Sequence, residues 1–310
     1  MDILKETNFD FLGRKTTGKV RDIYDQGDTL VLVTTDRHSS FDRIIAHVPW
    51  KGQVLNQVSA HWFEQTKDIV PNHVLAIPDP NVTVAKKCAM VPVEAVVRGY
   101  LTGVTDTAIW TRYGKGERSF GGVALPGGMR KNQKLPQPIF DPTTKEAAHD
   151  RALTPEEMIA EGFVSRPMFE RIRQTALALF ARGQEFAARN GLILVDTKYE
   201  FGTDANGALV LIDEIHTPDS SRYWQRESYA TRFAAGEEPH YFDKEFLRLW
   251  FKEHSDPYAD ATLPEAPVDL VAELSRRYIQ MYEQITGRKF AYGVTPVLPR
   301  IERNLKSYRI

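Results

Sequence analysis

The chain has 310 residues, of which 42% are hydrophobic and 26% are charged, a balance typical of a soluble globular protein with one large or two ordinary domains. With 40 basic and 41 acidic side chains, the net charge of −1 offers no electrostatic footprint for nucleic acid or an anionic membrane. A single cysteine, Cys88, excludes an internal disulfide and a multi-cysteine metal site.

The N-terminal segment places cations and a glycine in front of an apolar strand. A strand is predicted before a turn at residues 26–28, and an apolar strand is predicted over residues 30–33. Gly18, Lys19 and Arg21 put two long cations on one strand face beside a glycine, as a phosphate-covering hairpin would need. A solvated strand face is the alternative. The segment is not a Walker A loop, which needs the pattern GxxxxGK[ST] opening a helix.

Charges and hydroxyls crowd the loop that follows the apolar strand. Residues 34–43 read TTDRHSSFDR. A loop at the end of a buried strand that carries so many functional side chains is more typical of a site than of a linker. This loop is therefore a candidate part of a site.

One helix and two strands are predicted next. Apolar residues at helical spacing predict a helix over residues 54–65. Two strands are predicted over residues 82–87 and 91–97, with Met90 between them. The second of these strands delivers an arginine to its end.

Arg98 ends that strand directly before Gly99 and Gly103. An arginine there suits a phosphate or a carboxylate, because its planar fork binds such groups bidentately while glycine lets the ligand approach the backbone. An ordinary surface arginine in a turn is the alternative. Thr105 or Asp106 is expected to cap the short helix that follows.

The second half begins with an aperiodic stretch and continues with helices. Residues 114–149 lack periodicity and are rich in Gly, Pro, Lys and Arg, so we expect a mobile substrate loop in preference to disorder. A short helix is predicted to open at Thr154, and a long one to run from Ser165 to Asn190. Two further helices are predicted over residues 243–253 and, as the final helix, 268–286.

Residues 191–224 predict a β-hairpin followed by a polar loop. The dipeptide Asn206-Gly207 favours a two-residue type I′ turn, and the register that this turn sets places Glu200 directly opposite Asp213. Opposed side chains lie roughly 5 Å apart, and two negative charges at that distance repel by about 3 kcal/mol at an effective dielectric of about 20. A divalent cation would offset this repulsion.

A lysine on the same strand offers a second way to offset it. Asp196, Lys198 and Glu200 share one face, because strand side chains alternate from one face to the other. That face reads acid, base, acid. A solvated hairpin with a neutralising lysine therefore competes evenly with a metal site.

Five blocks of sequence together resemble a known enzyme family. They are GKVRDIYD, TTDRHSSFD, MVPVEAVVRGYLTG, LPQPIFDPTTK with His149-Asp150, and LVDTKYEFG with LIDEIHTPDSSRYW. In this order they are similar to the phosphoribosylaminoimidazole-succinocarboxamide (SAICAR) synthases of purine biosynthesis, and they extend over about residues 15 to 250. The length resembles the longer form of that family.

The resemblance implies an ATP-dependent ligase that joins L-aspartate to 5-amino-1-(5-phosphoribosyl)imidazole-4-carboxylate, giving the succinocarboxamide, ADP and phosphate. It implies an α+β, SAICAR synthase-like fold, in an ATP-grasp-like two-domain arrangement with antiparallel sheets and flanking helices. The expected domains are residues 1–90, a sheet domain covering the nucleotide, and residues 91–310, a larger α+β domain. ATP and Mg²⁺ are the implied cofactors.

The resemblance also implies roles for individual residues. Glu200 and Asp213 would hold Mg²⁺ on the β and γ phosphates, and Lys198 would neutralise charge at the point of phosphoryl transfer. The other residues expected to act on or bind ATP are Gly18, Lys19 and Arg21 at the phosphates and Lys86 and Met90 at the adenine. The expected contacts to the phosphoribosyl substrate are Arg98, Asp196, Asp219, Ser221, Arg222 and Arg248. The candidates for binding L-aspartate are Asp36, Ser40 and Lys145.

Two positions depart from the pattern of the family. Val104 stands where a serine is common, so Thr102 or Thr105 is expected to supply a hydroxyl to the ribose phosphate. Arg151 stands where the longer form commonly has an acidic residue. Neither change removes the residues expected at the phosphates and the metal.

The expected partners are small molecules, namely the phosphoribosyl-imidazole carboxylate, L-aspartate and ATP, with no nucleic acid and no membrane. Because the N-terminus has no apolar signal region and no apolar run could span a bilayer, a cytoplasmic location is expected. The oligomeric state is left open between monomer and homodimer. A different ATP-dependent carboxylate–amine ligase and a nucleotide-binding module without catalysis are the competing functions.

Overall fold

The structure, a computed structural model, describes residues 2–41, 43–105, 107–145, 151, 153–241 and 245–310. Two main sheets form its framework, and helices flank them. The strands in both sheets pair antiparallel. The expected combination of antiparallel sheets and flanking helices is therefore confirmed.

The N-terminal part of the chain builds the first sheet. Its elements are β1 (Arg14–Thr17), β2 (Arg21–Asp25), β3 (Thr29–Thr34), β4 (Arg37–Ser40), β5 (Arg43–His47), α1 (Lys51–Gln65), β6 (Val74–Asp79) and β7 (Val82–Lys86). Five strands pair in the order β1-β2-β3-β7-β6, while β4 and β5 form a separate hairpin. Val31 and Val33 of β3 are fully buried beside Val82 of β7, as a run of β-branched residues predicts.

The rest of the chain builds the second sheet and most of the helices. Its elements are β8 (Ala89–Leu101), α2 (Ile109–Gly114), β9 (Ser119–Phe120), β10 (Val123–Ala124), β11 (Gln133–Phe140), β12 (Thr143–Thr144), α3 (Pro155–Ala160), α4 (Arg166–Arg189), β13 (Leu192–Thr203), β14 (Leu209–Ile212), β15 (Ser221–Gln225), α5 (Arg226–Ala235), α6 (Glu245–His254), α7 (Val268–Thr286) and α8 (Val297–Asn304). The long strands β8 and β13 pair at the centre, with β11 and β14 outside them. In addition, β12 pairs with β8 and β15 pairs with β13.

Helix α4 packs on β13 through the apolar stripe that its sequence predicts. All five stripe residues are buried, namely Phe169, Ile172, Ala176, Leu179 and Phe180. Gly183 continues the stripe at the closest approach, where a Cβ would lie 2.5 Å from Cε1 of His216 and 2.6 Å from Cδ2 of Leu194. The backbone leaves the helix at Gly191, which has a positive φ of 71° as a C-terminal glycine should.

The last helix returns to the first sheet. Val297, Ile301 and Leu305 belong to the same apolar cluster as Val31 and Val82. Arg300 of α8 donates to both carboxylate oxygens of the buried Asp79, at 2.9 and 3.0 Å. The C-terminal helix therefore completes the core of the N-terminal sheet.

The prediction of an aperiodic loop over residues 114–149 is wrong where four strands form. The described part forms β9, β10, β11 and β12, and Phe120, Leu125 and Leu135 bury an apolar cluster of their own. The strands are short and interrupted by glycine and proline, which hides their alternation from a periodicity analysis. Residues 146–150, including His149 and Asp150, lie outside the described residues.

Other boundaries also shift. Met90 does not separate two strands, because β8 runs without interruption through Met90 and beyond Arg98. The N-cap of α2 is Ala108, so the predicted cap at Thr105 is wrong, and Asp106 lies outside the described residues. The helices predicted over 54–65 and 268–286 are confirmed as α1 and α7, although α8 follows as a further helix.

Within the described ranges, every helix is too short or too polar to cross a membrane.

The close approach at Gly183 leads to a stability prediction. Gly183→Ala is expected to lower the free energy of unfolding by about 1–3 kcal/mol, because the methyl group must displace the His216 ring and Leu194. Alanine is the better helix former by about 1 kcal/mol, so the sign of the change reports the clash. Gly114→Ala, with open space around its Cβ, is the control and should be neutral or slightly stabilising in urea unfolding. A Gly183→Ala midpoint at or above that of the wild type would contradict the prediction.

Buried His216 leads to a pH prediction. Burial lowers the pKa of His216 to about 3, and its Nε2 lies 2.6 Å from the hydroxyl of Tyr199. In the unfolded chain His216 binds a proton below a pH of about 6.5, whereas in the folded protein it stays neutral down to a pH of about 3. The folded state therefore has its full stability above pH of about 6.5, and it loses stability as the pH falls from there toward the folded pKa. Between pH 7 and 5 the wild type should lose about 2 kcal/mol more stability than His216→Gln. Equal losses of stability in the wild type and in His216→Gln, measured by urea unfolding, would contradict the prediction.

Candidate active site

A cavity of about 500 Å³ lies beside β8, β13 and β15. Charged and hydroxyl side chains dominate its wall. It contains all six residues predicted to contact the phosphoribosyl substrate, namely Arg98, Asp196, Asp219, Ser221, Arg222 and Arg248. Lys198 lines the same cavity. The fold thus brings together residues that are up to 150 positions apart in the chain, from Arg98 on β8 to Arg248 on α6.

Arg98 lies within β8 and is fixed by hydrogen bonds. Its Nε donates to Oδ2 of the buried Asp141 at 2.6 Å, and its Nη2 donates to the carbonyl of Thr107 at 3.1 Å. Asp141 also accepts from Arg112 at 2.9 Å. The sequence analysis did not identify Asp141, because its contact with Arg98 depends on the pairing of β11 with β8.

Arg222 and Asp196 face each other across β13 and β15. Nη1 of Arg222 lies 3.4 Å from Oδ2 of Asp196, and its guanidinium lies so close to Gly103 that a Cβ there would be 3.0 Å from Nη1. Oδ2 of Asp196 is buried and accepts no hydrogen bond from the described residues. A buried carboxylate oxygen without a donor needs one from elsewhere, so Asp196 is available to a ligand N–H or O–H group.

The hydroxyls of Thr102 and Thr105, on either side of Val104, differ in their contacts. Thr102 donates to Oδ1 of Asn132 at 2.7 Å and is buried. Thr102 and Thr105 both line the cavity, as does the exposed Val104, but the hydroxyl of Thr102 is already bonded to Asn132. Thr105 is therefore the better placed of the two threonines for a ligand in the cavity. The guanidinium of Arg151 pairs with Glu161 at 2.5 Å.

Lys198 links the cavity to a cluster of acidic side chains. Its Nζ lies 2.6 Å from Glu94 and 3.4 Å from Glu200, and Glu200 also pairs with Lys145. Burial by itself would lower the pKa of Lys198, but the charges of Glu94 and Glu200 outweigh it and the pKa is raised. Lys198 therefore carries a firmly held positive charge.

Arg21 reaches the same cluster from the first sheet. It donates to Asp213 and, at 2.6 Å, to Oε2 of Glu214. Burial would raise the pKa of Asp213, but Arg21, Lys198 and Lys145 hold it below its ordinary value. Burial dominates at Glu214 and raises its pKa. The cluster therefore keeps Asp213 ionised, while Glu214, which sequence reasoning missed, is the easier of the two to protonate.

The predicted pairing of Glu200 with Asp213 is wrong by one residue. Glu200 lies opposite Ile212 in β14, and the acid directly opposite Glu200 is Glu94 in β8. The cause is the turn, in which the side chain of Asp204 accepts from the backbone N–H groups of residues 206 and 208 at 2.9 and 3.0 Å. Gly207 has a positive φ of 76° and Asn206 does not, so the turn is not a type I′ pair. Because the N–H of Asp204 donates to the carbonyl of Ala208 at 3.0 Å, three residues, 205–207, form the tip.

Asp213 nevertheless joins the cluster, because its backbone turns after β14 with a positive φ of 66°. Two carboxylates do oppose each other in the sheet, as the repulsion argument required, but they belong to β8 and β13. The available signal was Glu94 itself, a single acid inside the apolar run VPVEAVV.

The glycine and cations of the N-terminal segment form a hairpin turn. The N–H of Gly18 donates to the carbonyl of Arg21 at 2.8 Å, which leaves Lys19 exposed at the tip. The expectation that Lys19 and Arg21 alternate on one strand face is therefore wrong. Arg37 holds the turn from behind, through the carbonyls of residues 18 and 19 at 3.1 and 3.3 Å.

Lys86 and Met90, the residues expected at the adenine, lie at the end of β7 and near the start of β8. Met90 is 51% exposed and lies opposite Gly202, and Lys86 ends β7 with an exposed side chain. Neither is among the residues that line the 500 Å³ cavity. Any adenine contact with them would lie outside that cavity.

Asp36 and Ser40, the candidates for binding L-aspartate in the loop after β3, are not among the residues that line the cavity. The two carboxylate oxygens of Asp36 accept from the backbone N–H groups of Leu4 and Gly52, at 2.8 and 2.9 Å. Burial raises the pKa of Asp36 to about 6. Through these two hydrogen bonds, Asp36 holds the backbone at Leu4 and at the start of α1.

Comparisons with known proteins agree with this arrangement. The sequence model of the SAICAR synthetase family matches residues 14–264. A phosphoribosylaminoimidazole-succinocarboxamide synthase of Legionella pneumophila (strain Lens) is 56% identical over 307 residues, which cover 98% of this chain and 98% of the relative. The structure of the SAICAR synthase from Saccharomyces cerevisiae, complexed with SAICAR, covers 93% of this chain and 100% of that chain, with 31% identity and a TM-score of 0.81. A type-2 SAICAR synthetase in complex with ADP covers 90% and 100%, with 26% identity and a TM-score of 0.67.

The antiparallel framework, the cation-lined cavity and these matches define a ligase of purine biosynthesis. More particularly, the chain belongs to the SAICAR synthetase family. The resemblance seen in the sequence is confirmed.

Proposed function

We propose that the chain joins L-aspartate to 5-amino-1-(5-phosphoribosyl)imidazole-4-carboxylate in an ATP-dependent reaction through an acyl phosphate. The observation that carries this proposal is the position of Lys198. It lines the cavity with Arg98 and Arg222, and its ammonium contacts both Glu94 and Glu200. A carboxylate in the cavity and phosphates at the acidic cluster would therefore meet at one lysine.

The chemistry explains why such a lysine is needed. A carboxylate is a poor electrophile at neutral pH, so its oxygen first attacks the γ-phosphorus of ATP, the bond to ADP breaks, and an acyl phosphate forms. The neutral amine of L-aspartate then attacks the acyl carbon, the bond to phosphate breaks, and the nitrogen loses a proton as the amide forms. Phosphoryl transfer is catalysed mainly by positioning and by cations aligned with the phosphate oxygens. Lys198 and Arg21 supply such cations.

Glu200 and Asp213 fit the ligand chemistry of Mg²⁺. The described residues contain no cluster of three or more His, Cys, Asp or Glu placed for a metal ion, but Mg²⁺ at such sites uses one or two carboxylates and completes its shell with phosphate oxygens and water. Each of the two acids already holds a cation, Lys145 at Glu200 and Arg21 at Asp213. When bound, Mg²⁺ would neutralise charge on the β and γ phosphates.

The nucleotide would lie between the two sheets in an ATP-grasp-like arrangement, with residues 1–90 as the covering domain and residues 91–310 as the larger domain. Lys19 and Arg21 would cover the phosphates, and the exposed Met90 would contact the adenine, with backbone groups near Lys86 bonding its edge. The ADP complex of a structural neighbour supports a nucleotide in this fold.

The cavity suits the phosphoribosyl substrate. Arg222 and Arg98 would bind its anionic groups, and the unsatisfied oxygen of Asp196 would accept from the imidazole amine. Asp219 would accept from ribose hydroxyls. For L-aspartate, Lys145 is the candidate that remains near the transfer point, where it pairs with Glu200.

The reaction itself is tested by ADP formation. Purified protein should release ADP only when ATP, Mg²⁺, the imidazole carboxylate and L-aspartate are all present, because the acyl phosphate needs both its acid and its acceptor amine to turn over. Other carboxylic acids in place of the imidazole substrate are the control. ADP release that does not depend on the imidazole carboxylate would refute the assignment.

The two acids at the phosphates are tested by isosteric changes. Glu200→Gln and Asp213→Asn should each lower kcat by at least about 100-fold, because a preorganised charge that aligns the transferring group is lost. Glu227→Gln, which removes one exposed charge on α5, is the matched control and should be neutral. Thermal unfolding checks the fold. If either variant keeps near-wild-type turnover, the metal assignment is wrong.

The role of Arg222 is tested by its effect on one substrate. Arg222→Ala should raise KM for the phosphoribosyl substrate by at least about 10-fold, because charge-assisted hydrogen bonds contribute about 1.5–3 kcal/mol. The KM for ATP should change little. Arg303→Ala, an exposed arginine on α8, is the control. An unchanged KM for the phosphoribosyl substrate would exclude a direct contact.

A further inference from the structure

Asp219 is held from two sides by residues far away in sequence. The ammonium of Lys51 lies 2.6 Å from Oδ2 of Asp219, and the hydroxyl of Tyr278 donates to Oδ1. The side chain of Lys51 is 0% exposed and that of Asp219 is 12% exposed. Asp219 lines the cavity, whereas Lys51 and Tyr278 do not. The two residues thus contact a residue of the cavity wall without lining the cavity themselves.

The backbone is built to turn Lys51 inward. Trp50, just before it, has a positive φ of 66°, which a bulky residue rarely adopts. Gly52, just after it, presses against β3 so closely that a Cβ would lie 2.3 Å from the carbonyl oxygen of Thr34. The N–H of Gly52 donates to Asp36 at 2.9 Å. This strained turn is what directs a fully buried lysine toward Asp219.

Helix α7 supplies the second contact through Tyr278. Its ring is 2% exposed, and the Lys51 ammonium lies 5.6 Å from the ring centroid. One turn earlier on the same helix, the hydroxyl of Ser275 donates to the carbonyl of Pro49 at 2.7 Å. Residues 49–51 and α7 are therefore fixed to each other next to the carboxylate that they both contact.

We infer that Lys51 and Tyr278 are positioning residues that set the orientation of Asp219 for a hydroxyl-bearing sugar in the cavity. An ionised carboxylate has about four lone-pair directions. Lys51 and Tyr278 occupy one on each oxygen, so the carboxylate of this cavity-lining residue is held in a fixed orientation. The inference rests on the proposed function, because it takes the phosphoribosyl compound as the ligand.

The first test is Tyr278→Phe, which removes one hydroxyl and keeps the ring. KM for the phosphoribosyl substrate should rise about 10-fold, the size expected for loss of a hydrogen bond to a charged group. kcat and KM for ATP should change less than about 2-fold. Tyr282→Phe, one turn later on the same helix and also buried, is the matched control and should leave all three constants unchanged.

The second test asks whether Lys51 acts through Asp219. Lys51→Met keeps most of the length of the side chain, one atom short, and removes its charge, and it should raise the same KM at least as much as Tyr278→Phe. In the Asp219→Asn background, Lys51→Met should add little, since residues that act as one unit are not additive. Thermal unfolding of every variant separates a loss of fold from a loss of orientation.

The outcomes are distinct. Wild-type protein that releases no ADP with the imidazole carboxylate would overturn the proposed function and this inference with it. Wild-type turnover combined with equal KM values for Tyr278→Phe and Tyr282→Phe would overturn the inference alone. Additive effects of Lys51→Met and Asp219→Asn would overturn it as well, since they would show that the lysine acts independently of the carboxylate.

Discussion

The pairing of β8 with β13 is the constraint on which the rest of the site depends. It places Glu94 directly opposite Glu200, and like charges in opposed positions destabilise a sheet. Lys198, Lys145 and Arg21 surround these acids and Asp213, so each negative charge has a cation nearby. The sheet thereby gathers alternating charges at the place where a phosphoryl group would have to be aligned.

The two sheets depend on each other at this point. Arg21 extends from β2 in the first sheet to Asp213 and Glu214, which follow β14 in the second. Behind it, the loop after β3 acts as a support for the site: Arg37 fixes the turn that carries Lys19, and Asp36 holds the start of α1 next to Lys51. This loop therefore serves the site by holding the backbone segments that carry Lys19 and Lys51.

Much of the framework and of the cavity could be predicted from the sequence, for physical reasons. Helix α4 and the strands β3 and β7 bury continuous or periodic apolar residues, and such patterns specify their own secondary structure. Five of the six cavity residues were found because they lie in short collinear blocks, whereas Arg248 lies outside those blocks. The strands from Ser119 to Thr144 were missed, because glycine and proline interrupt their alternation and because β8, the partner of β11 and β12, is distant in sequence.

The sequence by itself determined the charges available, the apolar periodicities and the family. It did not determine which charges meet, because that depends on strand register and on backbone turns. A side chain of Asp204 that bonds two backbone N–H groups shifts the hairpin by one residue, and Glu200 then opposes Ile212 instead of Asp213. Likewise, nothing in the sequence around Lys51, the first residue of α1, indicates that this lysine is buried. Only the packing of α1 and α7 around the cavity brings Lys51 and Tyr278 to Asp219, because contacts between distant segments are decided by the tertiary structure.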